Sequence, residues 1–341
     1  MHWRGGVACA VPEAPANGGL GSNVGPYSAN WCDAGIASCF TAKDGKQGGN
    51  VTAKNGSVPA RVFFIVAREG PTAVVFRRGP SRWVQLLKWD TATDTVEPGQ
   101  WFRGRLYERR SDLSPDGTLL LYFAQKINDR TLADREYTYA WTAVSKPPYL
   151  TALALWPKGD CWHGGGFFQD NGTVILNHKP EVARAHPKHP PAKLRVLLKE
   201  HVHGEDDPIF PERLARDGWA LKQQWIVENR GYPLMFRTQQ AEVWEKRSKC
   251  GEQSIQLTRS ISGLDYEERF ALRENDQAAW TALNSASWVD LDHNGRIVFA
   301  EQGKLYSGHF SVTGQMHSQE LIDLNPLKPT TVIAPEWAKS W

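Results

Sequence analysis

The sequence predicts an all-β fold of short strands, and three observations carry that prediction. Its 341 residues hold 15 Trp, 30 Gly and 21 Pro beside only 3 Met, so bulky aromatics are interleaved with turn formers. Strand-like runs follow one another from Pro59 onward with almost no helical periodicity. A hairpin signature also recurs along the chain at nearly even spacing. Hydrophobic residues at 41% and charged residues at 23% describe a globular chain and exclude a disordered or fibrous one. Forty basic side chains against 37 acidic ones leave +3, which makes no electrostatic case for nucleic acid or an anionic membrane. No apolar run approaches the roughly 18–20 residues that a spanning helix needs.

Residues 1–57 differ from the rest. They contain 11 of the 30 glycines and no strand-like run of β-branched residues, and the stretch from Lys43 to Gly56 is polar and Gly-rich. Such a segment buries too little apolar surface to offset its ordering entropy, so a flexible Gly-rich extension is expected over 1–57, with the folded domain over 58–341. The apolar run from Val7 to Val11 is shorter than a secretory leader requires and Pro12 interrupts it, so a cytoplasmic location is expected. Cys9, Cys32, Cys39, Cys161 and Cys250 form no C-x-x-C pair. Reduced thiols are the expectation, and a Cys32–Cys39 bridge is the alternative for an exported chain.

Strand character begins with Arg61–Val66. The turn formers Glu69-Gly70-Pro71 introduce Thr72–Phe76, and Arg78-Gly79-Pro80 introduce Trp83–Trp89. Asp90–Asp94 reads as a polar loop and Gln100–Glu108 as a further strand. Glu212–Leu221 could form two helical turns, with Leu214 and Trp219 near one face, although Gly218 weakens the pattern.

The hairpin signature is Asp112-Leu113-Ser114-Pro115-Asp116-Gly117-Thr118-Leu119 running into Leu120–Phe123. It returns at Phe167–Leu176 around Asn171-Gly172, at Val289–Phe299 around Asn294-Gly295, and more weakly at Trp225–Phe236 around Gly231. The turn glycines 117, 172, 231 and 295 are 55, 59 and 64 residues apart. Asp-Gly and Asn-Gly supply the φ > 0 positions of a tight hairpin. Ala140-Trp141-Thr142-Ala143 is echoed by Ala279-Trp280-Thr281-Ala282. Repeats of this length, with several short strands and no crossover helix, predict a β-propeller of about five four-stranded blades, or six. A two-sheet sandwich is the rival, but it does not require an evenly recurring hairpin. Ring closure is expected from Arg61–Val66 pairing with Glu320–Leu324 or Thr331–Ala334, with Trp337 packed on the first blade.

Ser114-Pro115-Asp116-Gly117-Thr118 resembles the Ser-Pro-Asp-Gly hairpin of TolB-like and WD-repeat propellers. From Arg61 onward the chain resembles a group of bacterial propeller-like proteins, through Gly204–Ile209, Arg216-Asp217-Gly218-Trp219 and Val243–Lys246. The resemblance implies a scaffold for protein contacts and no particular activity. The Trp-Asp pair at 89–90 is isolated, and Leu119 stands where a sialidase Asp box has an aromatic, so neither pattern is complete.

Three stretches offer chemistry. His201 and His203 lie on one side of an extended segment with Glu205, Asp206 and Asp207 following, which suits zinc or another divalent metal if His163 joins them. The plainer reading is a solvated charged loop. Asn177-His178, His186-Pro187-Lys188-His189 and Pro190-Pro191 read as an exposed, extended insertion. Trp162-His163-Gly164-Gly165-Gly166 lacks the Lys-Ser/Thr of a phosphate loop and reads as backbone passing close to the propeller axis. Arg103, Arg105, Arg109 and Arg110 interleave with Trp101, Phe102 and Tyr107. With Trp162, Arg103, Arg105 and Arg109 form a candidate surface for an acidic protein partner. The expectation is a monomeric, non-catalytic scaffold without a cofactor, with no nucleic-acid or membrane role. The alternative is a metal-dependent hydrolase or lyase built on His163, His201 and His203.

Overall fold

Val62 to Ile65 are apolar on both faces of the strand and all four are buried, so Arg61–Val66 (β1) needs packing on either side. The computed structural model describes residues 58–341 except 80, 201–208, 229–237, 250–252, 263–264 and 312. All described residues belong to one compact unit, Gly48–Trp341. The extension expected over 1–57 and the weak hairpin copy at Gly231 lie outside the described residues, as do His201 and His203.

Five small sheets ring an axis as a five-bladed β-propeller. Blade one is the antiparallel meander β1, β2 (Thr72–Arg78), β3 (Trp83–Asp90) and β4 (Thr95–Arg103). Blade two contains β5 (Arg105–Leu106), β6 (Asp112–Leu113), β7 (Leu120–Gln125), β8 (Ala140–Ser145) and β9 (Ala154–Pro157), with β5 and β6 sharing β7. The short helix α1 (Asp129–Ala133) interrupts it between β7 and β8. Blade three has β10 (Gly166–Asp170), β11 (Thr173–Leu176) and β12 (Arg195–Leu198). Helix α2 (Phe210–Arg216) precedes blade four, which comprises β13 (Trp219–Glu228), β14 (Thr238–Arg247), β15 (Ser254–Ser262), β16 (Asp265–Arg273) and β17 (Thr281–Leu283). Blade five is β18 (Ala286–Leu291), β19 (Ile297–Glu301), β20 (Lys304–Phe310) and β21 (Met316–Asp323).

The expectation of four strands per blade holds for blades one and five. In blade three, β12 runs parallel to β11 because residues 177–194 carry the chain back before it pairs. The predicted strand at 100–108 is displaced as well. β4 begins at Thr95 and ends before Gly104, where a Cβ would meet the Phe102 ring at 2.4 Å and the Gln125 carbonyl at 2.5 Å. The helix predicted over 212–221 begins earlier and stops at Arg216. Gly218, at φ +89°, turns the chain out, and Trp219 opens β13.

The repeated signature is the first hairpin of blades two, three and five. In each, one Asp closes the turn with its own carboxylate. Asp116 accepts from Thr118 N–H at 3.0 Å, Asp170 from Gly172 N–H at 2.8 Å, and Asp292 from Asn294 N–H at 2.9 Å. Gly117 and Gly295 adopt φ of +76° and +77°, whereas Gly172 has no left-handed φ and is not required by its turn.

β1 packs on β18 and β19 of blade five and on β6 of blade two, while β10 packs on β6 and β7 and β16 on β18. Trp288 is the hub between blades. Its ring lies 4.6 Å from Phe63, 5.6 Å from Phe270, 5.7 Å from Phe210 and 6.4 Å from Trp219. The ends meet differently from expectation. β1 pairs only with β2 and β21 only with β20, so among the described residues no strand is shared between first and last blades. Hydrogen bonds join them instead. Asn325 Oδ1 accepts from Ala60 N–H at 2.8 Å, and buried Arg77 donates to the carbonyls of Leu324 at 3.1 Å and Asn325 at 3.2 Å. Trp337, expected on the first blade, packs its ring on Tyr149 of blade two at 5.6 Å, because the C-terminal segment continues past blade one.

Candidate functional site

Blades two and three meet at a corner built on arginine and aromatic side chains. The guanidinium groups of Arg105 and Arg110 both lie over the Tyr107 ring, at 4.4 and 4.5 Å, and the Tyr107 hydroxyl donates to Gln125 Oε1 at 3.0 Å. Arg110 is fully buried. Its Nη1 donates to the carbonyls of Cys161 and His163, both at 2.8 Å, which fixes the loop between β9 and β10.

That loop contains three consecutive left-handed residues: His163 at φ +60°, Gly164 at +88° and Gly165 at +76°. Glycine is needed at the last two. A Cβ on Gly164 would lie 2.4 Å from the Phe123 ring, and one on Gly165 would lie 2.1 Å from the Arg110 carbonyl oxygen. A left-handed His163 is strained, and its neighbours hold it there. Gly164 N–H donates to Asn177 O at 2.8 Å and Asn177 N–H to Gly165 O at 3.0 Å. Asp160 Oδ1 accepts from Trp162 N–H at 2.9 Å and from Lys158 Nζ at 2.6 Å. The fixed loop leaves the Trp162 side chain at the surface, 47% exposed.

Beneath the loop, Gly165 N–H donates to Thr142 Oγ1 at 2.8 Å, and that hydroxyl pairs with His178 Nε2 at 2.8 Å. Burial, aided by the positive charge of Lys158, pushes His178 down to about 4, so its ring is neutral at pH 7. Burial lowers Lys158 as well, and Asp160 only partly restores it. A neutral imidazole and a desolvated amine are ingredients of proton transfer. Here the Lys158 side chain is only 2% exposed and ion-paired, and His178 is fully buried. Trp162 and the outer Arg103 are exposed, and Arg105 is half-buried.

Two of the expected site residues, Trp162 and His163, stand on this loop, and Arg105 shares the Tyr107 ring with Arg110, which holds the loop. Arg103 sits exposed at the end of β4. Arg109 does not face a partner. It is buried, pairs with Glu268 at 2.5 Å, and lies over Phe63 and Phe210 at 5.7 and 5.6 Å. Among the described residues no three or more His, Cys, Asp or Glu side chains are grouped to hold a metal ion. Asn177, His178 and His186, expected in an exposed insertion, are buried, because the segment after β11 folds back against blade two. Cys161 is buried and disulfide-bonded, against the expectation of reduced thiols, and the four other cysteines lie outside the described residues. Sequence reasoning passed over Lys158 and the buried role of His178. The only signal for the latter was its place just past the strand pattern Thr173–Leu176.

No protein-family model matches this chain, and no curated protein matches it. Among solved structures, a protein from Bacteroides fragilis named as a 6-phosphogluconolactonase is similar over 78% of this chain and 95% of its own, with 9% identity and a TM-score of 0.27. A likeness this distant adds nothing to the fold described above.

Proposed function

We propose that this propeller is a non-catalytic platform that docks a protein partner at the corner formed by Trp162, Arg105 and Arg103. One observation carries the reading: a half-exposed tryptophan stands on a loop whose backbone is fixed by a buried arginine and by three left-handed residues. Tryptophan and arginine are the side chains that most often dominate interface energetics, and a pre-formed loop loses little freedom on binding. The neighbouring Arg103 and Arg105 favour a partner with an acidic rim around an apolar socket. The test places a photo-crosslinking amino acid at position 162 in the full chain in its native cell, with exposed Thr313 of blade five as the control position. A discrete protein adduct from 162, lost with Arg103→Glu/Arg105→Glu and absent from 313, is expected. Equal labelling from both positions, or none from 162, overturns the reading.

A further inference from the structure

Blade five ends in the hairpin of β20 and β21, which carries two histidines opposite each other. Ser311 N–H donates to Gln315 O and Gly314 N–H to Ser311 O, both at 2.9 Å, and Gly314 takes the φ of +76° that turns the chain back. The ladder then pairs Phe310 with Met316, His309 with His317 and Gly308 with Ser318. Directly opposed residues of antiparallel strands share a face, with Cβ atoms about 4.5–5.5 Å apart. Phe310 and Met316 pack against the core, and the Met316 methyl lies 2.1 Å from where a Gly308 Cβ would be. Packing therefore fixes the register that sets the two imidazoles side by side.

Both histidines are exposed, with ring centroids 5.7 Å apart and planes 21° from parallel. Two imidazoles on one tetrahedral ion, at metal–nitrogen distances of about 2.0–2.1 Å, have centroids about 5 Å apart. A modest turn about the side-chain torsions brings a nitrogen of each ring onto one ion. Neither ring makes a hydrogen bond or ion pair among the described residues, so nothing opposes that turn. His309 also lines a recess of about 260 Å³ between blades four and five, with Ser248, Gln253, Asn294 and Arg296, which admits the waters that complete a coordination shell. The neighbouring cations are already neutralised. Arg296 pairs with Asp94 at 2.7 Å and Asp292 at 2.8 Å, and Lys304 of β20 pairs with Glu320 at 2.8 Å.

We propose that His309 and His317 together bind one zinc(II) ion as a two-point chelate, with water at the remaining positions. Imidazole suits zinc and its first-row neighbours, whereas magnesium and calcium select oxygen ligands. One ligand comes from each strand, so the bound ion fastens β21, the edge strand of blade five, to β20. The site is separate from the Trp162 corner and does not depend on the docking role proposed there, nor on His201 and His203.

Zinc chloride is the probe, titrated into the full chain and followed at the ring signals of His309 and His317 in ¹H–¹⁵N spectra of histidine-labelled protein. Reading the affinity at these two rings separates it from zinc held by any other histidine. The two signals should move along one saturation curve with a common Kd. His309→Gln and His317→Gln, both surface changes, should each weaken binding at the remaining ring at least roughly tenfold, because two ligands held in one geometry act at high effective concentration. Saturating zinc should slow amide exchange in β21 of the parent and not of either variant. A smaller loss in the single variants means adventitious, independent histidines and overturns the chelate. Different Kd values at the two rings, an equal response to magnesium, unaltered exchange in β21, or no movement of either ring at zinc on the order of 1 mM overturns it as well.

Discussion

Asp112 and Arg216 are joined across 104 residues by a two-pronged ion pair, with Asp112 Oδ1 accepting from Arg216 Nη2 at 2.8 Å and Oδ2 from Nη1. The same carboxylate accepts from Phe168 N–H at 2.7 Å, and Arg216 Nη1 donates to Phe168 O at 2.8 Å. One fully buried carboxylate in blade two thus fastens both β10 of blade three and the helix that leads into blade four. Geometry of this kind specifies an arrangement more than it stabilises one, because removing two ions from water is itself expensive.

Removing one partner is the severe case. Asp112→Asn should destabilise the chain by about 1–3 kcal/mol in urea denaturation, since it removes a buried charge from Arg216, which keeps Asp217 at 2.8 Å. Asp112→Asn/Asp217→Asn, which leaves the Arg216 charge with neither carboxylate, should cost more than the single change. A single variant within about 0.5 kcal/mol of the parent contradicts the buried pairing.

The loop glycines give a prediction with an internal control. Gly165→Ala places a methyl 2.1 Å from the Arg110 carbonyl oxygen at φ +76°, and should cost more than about 2 kcal/mol of stability. Gly79→Ala has a similar φ of +88° but nothing within 4 Å of the new Cβ, and should cost only about 1 kcal/mol. Thermal unfolding of the two variants side by side measures the difference.

His178 sets a pH dependence whose sign follows from its burial. In the unfolded chain the ring takes a proton near its ordinary 6.5, whereas in the fold it does so at about 4. Between those values only the unfolded state binds the proton, so stability falls as pH drops from 6.5 to about 4, by about 3 kcal/mol in all. Above 6.5 the contribution is constant. Urea midpoints from pH 4 to 8 should show this slope in the parent and a shallower one in His178→Gln.

Trp162→Ala should leave the melting temperature within about 2 °C of the parent, because a side chain already half in water contributes little to the core. The same change should abolish the crosslinked adduct. A large fall in melting temperature would show that the indole is structural and not a docking group.

The C-terminal segment crosses three blades. Gln100 donates to Val332 O at 3.1 Å, Lys146 Nζ donates to the carbonyls of Trp337 and Ser340, both at 2.8 Å, and Trp341 Nε1 donates to Pro190 O at 3.3 Å. Removing residues 331–341 should cost about 1–3 kcal/mol and raise hydrogen exchange in blades two and three, which mass spectrometry would localise.

Local chemistry made the blade hairpins legible in the sequence. Asp116 and Asp292 close their own turns within two residues, and Gly117 and Gly295 take the φ that only glycine adopts freely. The candidate site was less legible because it inverts the usual meaning of its residues. Arg110, His178 and His186 belong to types that normally face water, yet each is buried by partners distant in sequence, such as the Cys161 carbonyl 51 residues from Arg110. The parallel strand β12 was hidden for a related reason. Arg195–Leu198 has no pattern that distinguishes which direction it will pair, and residues 177–194 decide that through tertiary contacts.

Because the first and last blades are held at Asn325 and Arg77 by hydrogen bonds and not by a common sheet, each of the five sheets is a contiguous piece of gene. A ring stitched in this way can be cut and rejoined at any blade boundary without re-threading a strand. Circular permutants opened between β17 and β18 would keep every ladder intact, whereas rings whose ends share a blade lose one in the same operation. The seam therefore rests on side chains and not on a ladder, with Arg77 and Asn325 as the pair that any such permutation would have to preserve.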